Sequence, residues 1–63
     1  MTEIGKTLTH CLKAMDVSAG ISAAIYLTVG EDSQKMELLD FLADNRDATP
    51  EELLDEARRI SGR

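Results

Sequence analysis

The segment from Val17 to Gly30 constrains this chain most, because it contains 14 residues and none of them is charged. It is too short to cross a bilayer, which takes about 20 helical residues. A helix without a charged side normally lies inside a bundle. We therefore predict a central apolar helix over residues 18–29, with the other helices packed around it.

The length of 63 residues leaves room for a single domain, over residues 1–63. A chain this short buries a smaller fraction of its surface than a larger domain does, so its stability margin is thin. Well-formed helix ends or a second copy of the chain help such a domain to fold.

The residues before this segment show helical periodicity. We predict a first helix from about Glu3 to Met15, with Thr2 as its N-cap. Its apolar stripe contains Ile4, Leu8, Cys11, Leu12 and Met15. The opposite face contains Lys6, His10 and Lys13, and we expect this mildly basic face to be solvated.

The second helix is predicted from Ala19 to about Val29. Its N-cap is either Asp16 or Ser18, and Gly30 is suited to a left-handed position that ends it.

The third helix is predicted from about Gln34 to Asn45, with Asp32 or Ser33 as its N-cap. Its apolar stripe is predicted to contain Met36, Leu38, Leu39, Leu42 and Ala43. Its outer face contains Glu37, Asp40 and Asp44.

The fourth helix has the clearest local signal in the sequence. Thr49, Pro50 and Glu52 fit a capping box with proline at the first helical position, so the helix begins at Pro50 and Gly62 is placed to end it. Its core face contains Leu53, Leu54, Ala57 and Ile60, and weak ion pairs are expected from Asp55 and Glu56 to Arg58 or Arg59. Together the four segments predict an all-α fold, a compact bundle of three to four short helices.

The net charge of −5 is unevenly distributed. The charges of residues 1–30 cancel, so the entire acidic excess lies in residues 31–63. Such a field repels phosphate backbones and anionic lipids, which argues against direct nucleic-acid binding and against a membrane. The acidic surface either attracts a basic protein or only keeps the chain in solution.

The residues that could perform chemistry are poorly arranged for it. His10 and Cys11 are helical neighbours that point about 100° apart, so they do not form a nucleophile and base pair. The carboxylates of the third and fourth helices match no metal-binding loop, and a bundle this small offers little volume for a substrate pocket. We predict no catalytic residue, no cofactor and no metal site, and therefore no enzyme.

The cellular location is predicted from two observations. Cys11 is the only cysteine, and no basic region precedes a long apolar run at the N-terminus. We expect a cytoplasmic protein.

The run from Met36 to Ile60, about two-fifths of the chain, resembles the opening two helices of winged helix-turn-helix regulators. In that family a third helix with polar and basic side chains enters the major groove. Here both helices are acidic, and only Ser61, Gly62 and Arg63 follow them. The resemblance implies a regulatory fragment that acts on DNA through a partner subunit, and we assign the chain to no family.

Our leading hypothesis is a small interaction module, either bacterial or carried on a mobile element, that docks a helix face onto another protein or onto a second copy of itself. The candidate interaction surface contains Tyr26, Leu27, Phe41, Glu37, Asp40 and Asp44. Tyr26, Leu27 and Phe41 lie at the edges of the apolar stripes, where they either fill the margin of the core or anchor a partner. The alternatives are the helix-turn-helix-like fragment and an acidic decoy that occupies a nucleic-acid-binding protein.

Overall fold

Four helices account for most of residues 2–62, which the computed structural model describes. They are α1 (Glu3–Ala14), α2 (Ala19–Thr28), α3 (Asp32–Asp44) and α4 (Pro50–Ser61). No strand occurs among the described residues. The predicted all-α bundle is confirmed, and the predicted helix bounds agree with the observed ones to within two residues.

The predicted N-caps of three helices are confirmed. In α4 the Thr49 hydroxyl accepts from the Glu52 amide (3.2 Å), and the Glu52 carboxylate accepts in return from the Thr49 amide (3.0 Å). Thr2 caps α1 by accepting from the Gly5 amide at 3.1 Å. Ser18, one of two predicted candidates, caps α2.

Two other predicted helix ends are wrong. Gly30 has no positive φ. Helix α2 ends at Thr28 with Val29 as its C-cap, and the φ of −95° at Val29 needs no glycine. The positive φ of 61° belongs to Asp16, in the turn before α2. Helix α3 begins earlier than predicted, with Glu31 as its N-cap. The reason is Gln34, whose side-chain oxygen accepts from the Glu31 amide at 3.2 Å and so completes a capping box one residue before Asp32.

The four helices form a closed ring of neighbours. Helix α1 packs against α2 and α3, and α4 packs against the same two helices. Helices α1 and α3 run in the same direction. Their starts lie together, where the Thr2 hydroxyl donates to the Asp32 carboxylate (3.2 Å), and Met15 and Leu42 lie together near their ends.

The core receives side chains from all four helices. Its fully enclosed members are Leu8, Leu12, Ile25, Val29, Leu38, Leu53 and Ala57. The predicted stripes of α1 and α4 are confirmed. The predicted α3 stripe needs correction, because Ala43 is exposed, Met36 is 52% exposed and Lys35 is buried. Lys35 lies three residues before Leu38 and seven before Leu42, which places it on their face of the helix. Met36 and Ala43 share another face.

The predicted central position of residues 18–29 is also wrong. Within α2 only Ile25 is buried, whereas Leu27 is 77% exposed. The exposed residues of this helix are Ala19, Gly20, Ala23, Ala24 and Leu27. Because each helix in the ring packs against two others, α2 has one side toward α1 and α4 and another toward solvent. Its solvent side is apolar since the helix contains no charged residue.

Candidate interaction cleft

A cleft of about 700 Å³ runs along the surface between α1 and α2. Helix α1 contributes Thr9 and Lys13, and Val17 comes from the turn that joins the two helices. Helix α2 contributes Ala19, Ser22, Ala23, Tyr26 and Leu27. The sequence-based expectation that so small a bundle has little cavity volume is therefore wrong. The volume arises at the surface because α2 is not enclosed by the other helices.

The shape of the cleft follows from the side chains of α2. Ala19 and Ala23 lie one helical turn apart and rise little above the backbone, while Leu27 follows one turn later. Among residues 2–62, the exposed large apolar side chains are those of Leu27 and Met36, and of these two only Leu27 lines the cleft. Burial of a leucine side chain is worth about 1.5–3 kcal/mol, so this residue offers a partner substantial binding energy.

The charge of the cleft comes from α1. Lys13 is exposed on the α1 wall. Lys6 lies seven residues and His10 three residues before Lys13, so both share its helix face. No carboxylate lines the cleft. The ion pairs found within residues 2–62 join Asp55 to Arg58 and Glu56 to Arg59, both on α4. The cleft thus has an apolar α2 wall and an α1 wall that carries one charged residue, Lys13.

Buried Lys35 supports the end of the cleft. Its Nζ donates to the Val29 carbonyl (2.6 Å) at the end of α2 and lies 4.6 Å from the centroid of the Tyr26 ring. A cation is favourable at the C-terminal end of a helix and above an aromatic ring. This lysine therefore ties α3 to α2 and holds the ring that lines the cleft. A lysine is normally exposed, but the spacing of Lys35 from Leu38 and Leu42 indicates the buried position that the structure shows.

The six residues of the predicted interaction surface do not form one surface. Tyr26 and Leu27 line the cleft together. Phe41 is half-buried and packs against the core, as expected for a residue at the core margin. The three acidic residues, Glu37, Asp40 and Asp44, are exposed on α3 and line no part of the cleft.

A second cavity of about 370 Å³ lies between the C-terminal halves of α1 and α3. Cys11 and Met15 line it from α1, and Leu39 and Leu42 line it from α3. Cys11 is half-buried and packs against the core, as its place in the α1 stripe predicts. Within the described residues, no group of three or more His, Cys, Asp or Glu side chains is arranged to hold a metal ion.

Comparisons with known proteins add no assignment to these surfaces. No protein-family model, curated protein or solved structure matches the chain. The resemblance of residues 36–60 to helix-turn-helix regulators therefore stays a prediction. Among residues 2–62, no helix has the length and hydropathy needed to cross a membrane.

Proposed function

We propose that this protein is a protein-interaction module whose α1–α2 cleft receives an α-helix of another protein. The observation that carries the proposal is the exposed apolar side of α2, where Leu27 is 77% exposed beside a cleft of about 700 Å³. Exposed apolar surface that borders a groove is typical of sites where a partner binds. Leu27 acts as the anchor, since a buried apolar side chain at the centre of an interface provides much of its binding energy.

The form of the cleft favours a helix as the occupant. Its two walls are helices, and the low profile of Ala19 and Ala23 leaves a groove into which a ridge of partner side chains fits. This is the helix-in-groove mode of recognition. The described residues contain no strand, so they offer no sheet edge to which an extended peptide could add.

The polar groups of the cleft argue against a small-molecule substrate. Sites for small molecules combine an apolar pocket with several convergent polar groups that fix the orientation of the ligand. Here Lys13 is the one charged group, the Thr9 hydroxyl already donates to the Gly5 carbonyl at 2.9 Å, and the remaining polar side chains are the hydroxyl-bearing Ser22 and Tyr26. An apolar helix requires fewer such contacts.

A displayed library of helix-forming peptides tests the proposal. The library is selected on the wild-type protein, and the enriched peptides are measured against Leu27→Glu and against Met36→Glu. The Met36 variant is the matched control, because it introduces the same charge at the other exposed large apolar residue.

We expect Leu27→Glu to weaken binding at least about tenfold, since a lost leucine contact of 1.5 kcal/mol or more exceeds the 1.4 kcal/mol of a tenfold change. Met36→Glu should bind as the wild type does. Circular dichroism melting establishes that both variants stay folded. Equal binding by Leu27→Glu, or a selection that enriches nothing over background, would reject the proposal.

A further inference from the structure

We infer that the helix received by the α1–α2 cleft carries a carboxylate beside its apolar anchors, and that this carboxylate pairs with Lys13. The inference rests on the proposed function and adds the chemistry of the partner. It follows from the charges of the cleft walls and from where the chain carries its acidic residues.

The cleft lies in the part of the molecule without an acidic excess. Helix α1 presents Lys6, His10 and Lys13 on one face, and α2 contains no charged residue. The excess of negative charge lies after residue 30. A partner helix with a basic flank would meet Lys13 as a like charge, whereas a Glu or Asp on that flank would find in Lys13 an amine to pair with.

The same charges disfavour a second copy of this chain as the occupant. In a cleft-to-cleft pairing of two copies, each cleft would meet the solvent side of the other copy's α2, which contains no carboxylate to reach Lys13. Two copies joined cleft to cleft would also bring two basic α1 walls together, and each copy has a net charge of −5. Like charges placed opposite each other at an interface oppose association. These charges therefore favour an acidic amphipathic helix of a different protein over cleft-to-cleft pairing of two copies.

Two synthetic peptides provide the probes. Both are stapled helices with the same row of leucines, and they differ only in the residues beside that row, which are Glu in one and Lys in the other. Fluorescence anisotropy measures their affinities for the wild type, for Lys13→Glu and for Lys6→Glu. The Lys6 variant is the matched control, because it changes the net charge equally on the same α1 face but does not line the cleft.

We expect the wild type to bind the Glu peptide about 2- to 30-fold more tightly than the Lys peptide at low salt. This range corresponds to one surface ion pair with the Glu peptide and one repulsion of similar size with the Lys peptide. Lys13→Glu should reverse this preference, and Lys6→Glu should retain most of it. Added salt should reduce the preference, since exposed charges are screened.

The outcomes separate this inference from the proposed function. If both peptides bind equally and Leu27→Glu still weakens their binding, the inferred carboxylate of the partner is wrong and the proposed helix-binding cleft is retained. Failure of both peptides to bind removes both proposals. Sedimentation of the protein alone should show a monomer; a concentration-dependent dimer that Leu27→Glu abolishes would overturn the inference in favour of self-association.

Discussion

Helices α2 and α4 are similar in length but differ in almost every other respect. Helix α4 has a capping box at its start, arginines in its last turn, and a buried face formed by Leu53, Ala57 and Ile60. Helix α2 has a single side-chain cap, contains no charged residue in its first or last turn, and buries only Ile25. The two helices pack against each other, yet one is amphipathic and the other leaves apolar surface in water.

The difference separates a helix whose sequence specifies its packing from a helix whose sequence does not. The polar residues of α4 determine which face points outward, so its sequence specifies its packing. The neighbours of α2 determine which of its apolar sides is buried, and the remaining side is not needed by the core. Stability is therefore concentrated in buried residues such as Leu53, whereas the proposed binding site centres on exposed Leu27, on the solvent side of α2.

The largest expected effect compares the two leucines directly. Leu53→Ala removes a fully buried side chain and should lower the free energy of unfolding by about 2–5 kcal/mol, which is much of the stability of a domain this small. Leu27→Ala should change it by no more than about 0.5 kcal/mol, because Leu27 is exposed. Urea denaturation followed by circular dichroism measures both. If Leu27→Ala lowered the free energy of unfolding as much as Leu53→Ala, the solvent side of α2 would contribute to stability as the buried face of α4 does.

The next effect tests how α2 is attached to α3. Lys35→Met keeps much of the side-chain volume but leaves the buried Val29 carbonyl without its donor, so stability should fall by about 1–3 kcal/mol. Tyr26 is the only tyrosine in a chain without tryptophan, so its fluorescence reports loss of the lysine from above the ring. Exposed Lys6→Met serves as the control and should alter neither quantity, because Lys6 lies outside the cleft that Tyr26 lines. An unchanged Tyr26 signal in Lys35→Met would mean that the amine does not contact the ring.

Much of the fold could be predicted from the sequence because most of its helices are amphipathic or clearly capped. The stripes of α1 and α4 and the Thr49 capping box follow from spacing alone. The position of α2 could not be predicted this way, since a helix without polar residues gives no indication of its outward face. Lys35 is the reverse case, because its residue type indicates exposure whereas its spacing from Leu38 and Leu42 indicates the observed burial.

The cleft was harder to predict than the helices that form it. Tyr26 and Leu27 were recognised as edge residues of α2, but Lys13 was interpreted only as part of a solvated face. Whether these residues meet depends on how α1 packs against α2, and no local pattern encodes that packing. The acidic residues of α3 were grouped with Tyr26 and Leu27 by chemical character, whereas the fold places them on a different helix surface.

A smaller effect is expected from the helix caps. Thr49→Ala removes the hydroxyl that accepts from the Glu52 amide, and should destabilise the protein by about 0.5–2 kcal/mol. Ser18→Ala at the start of α2 should cost less within this range, because Ser18 accepts a single bond of 3.3 Å from the Ile21 amide and has no reciprocal partner. Amide hydrogen exchange measures the protection of the backbone amides in the first turn of each helix. Greater loss of protection in Ser18→Ala would reverse the ranking of the two caps.

The smallest effect is a difference in how the two helices respond to acid. The Thr49 backbone amide, and then the Thr49 hydroxyl, lower the pKa of Glu52; the hydrogen bond from Arg59 lowers the pKa of Glu56. A carboxyl whose pKa is lowered by folding stabilises the native state above its unfolded pKa of about 4.3, and this contribution is lost as the pH falls through the lower folded value.

Acidification below about pH 4.3 should therefore loosen the start of α4 and weaken the bond between Glu56 and Arg59 before it affects α2, which contains no carboxylate. Nuclear magnetic resonance resolves the two helices through their amide shifts as the pH is lowered. Glu52→Gln removes the titration while keeping a residue that can complete the capping box, so the acid response at the start of α4 should disappear and that at Glu56 should remain. If α2 and α4 responded to acid together, the first loss would be global unfolding rather than the local titration of α4.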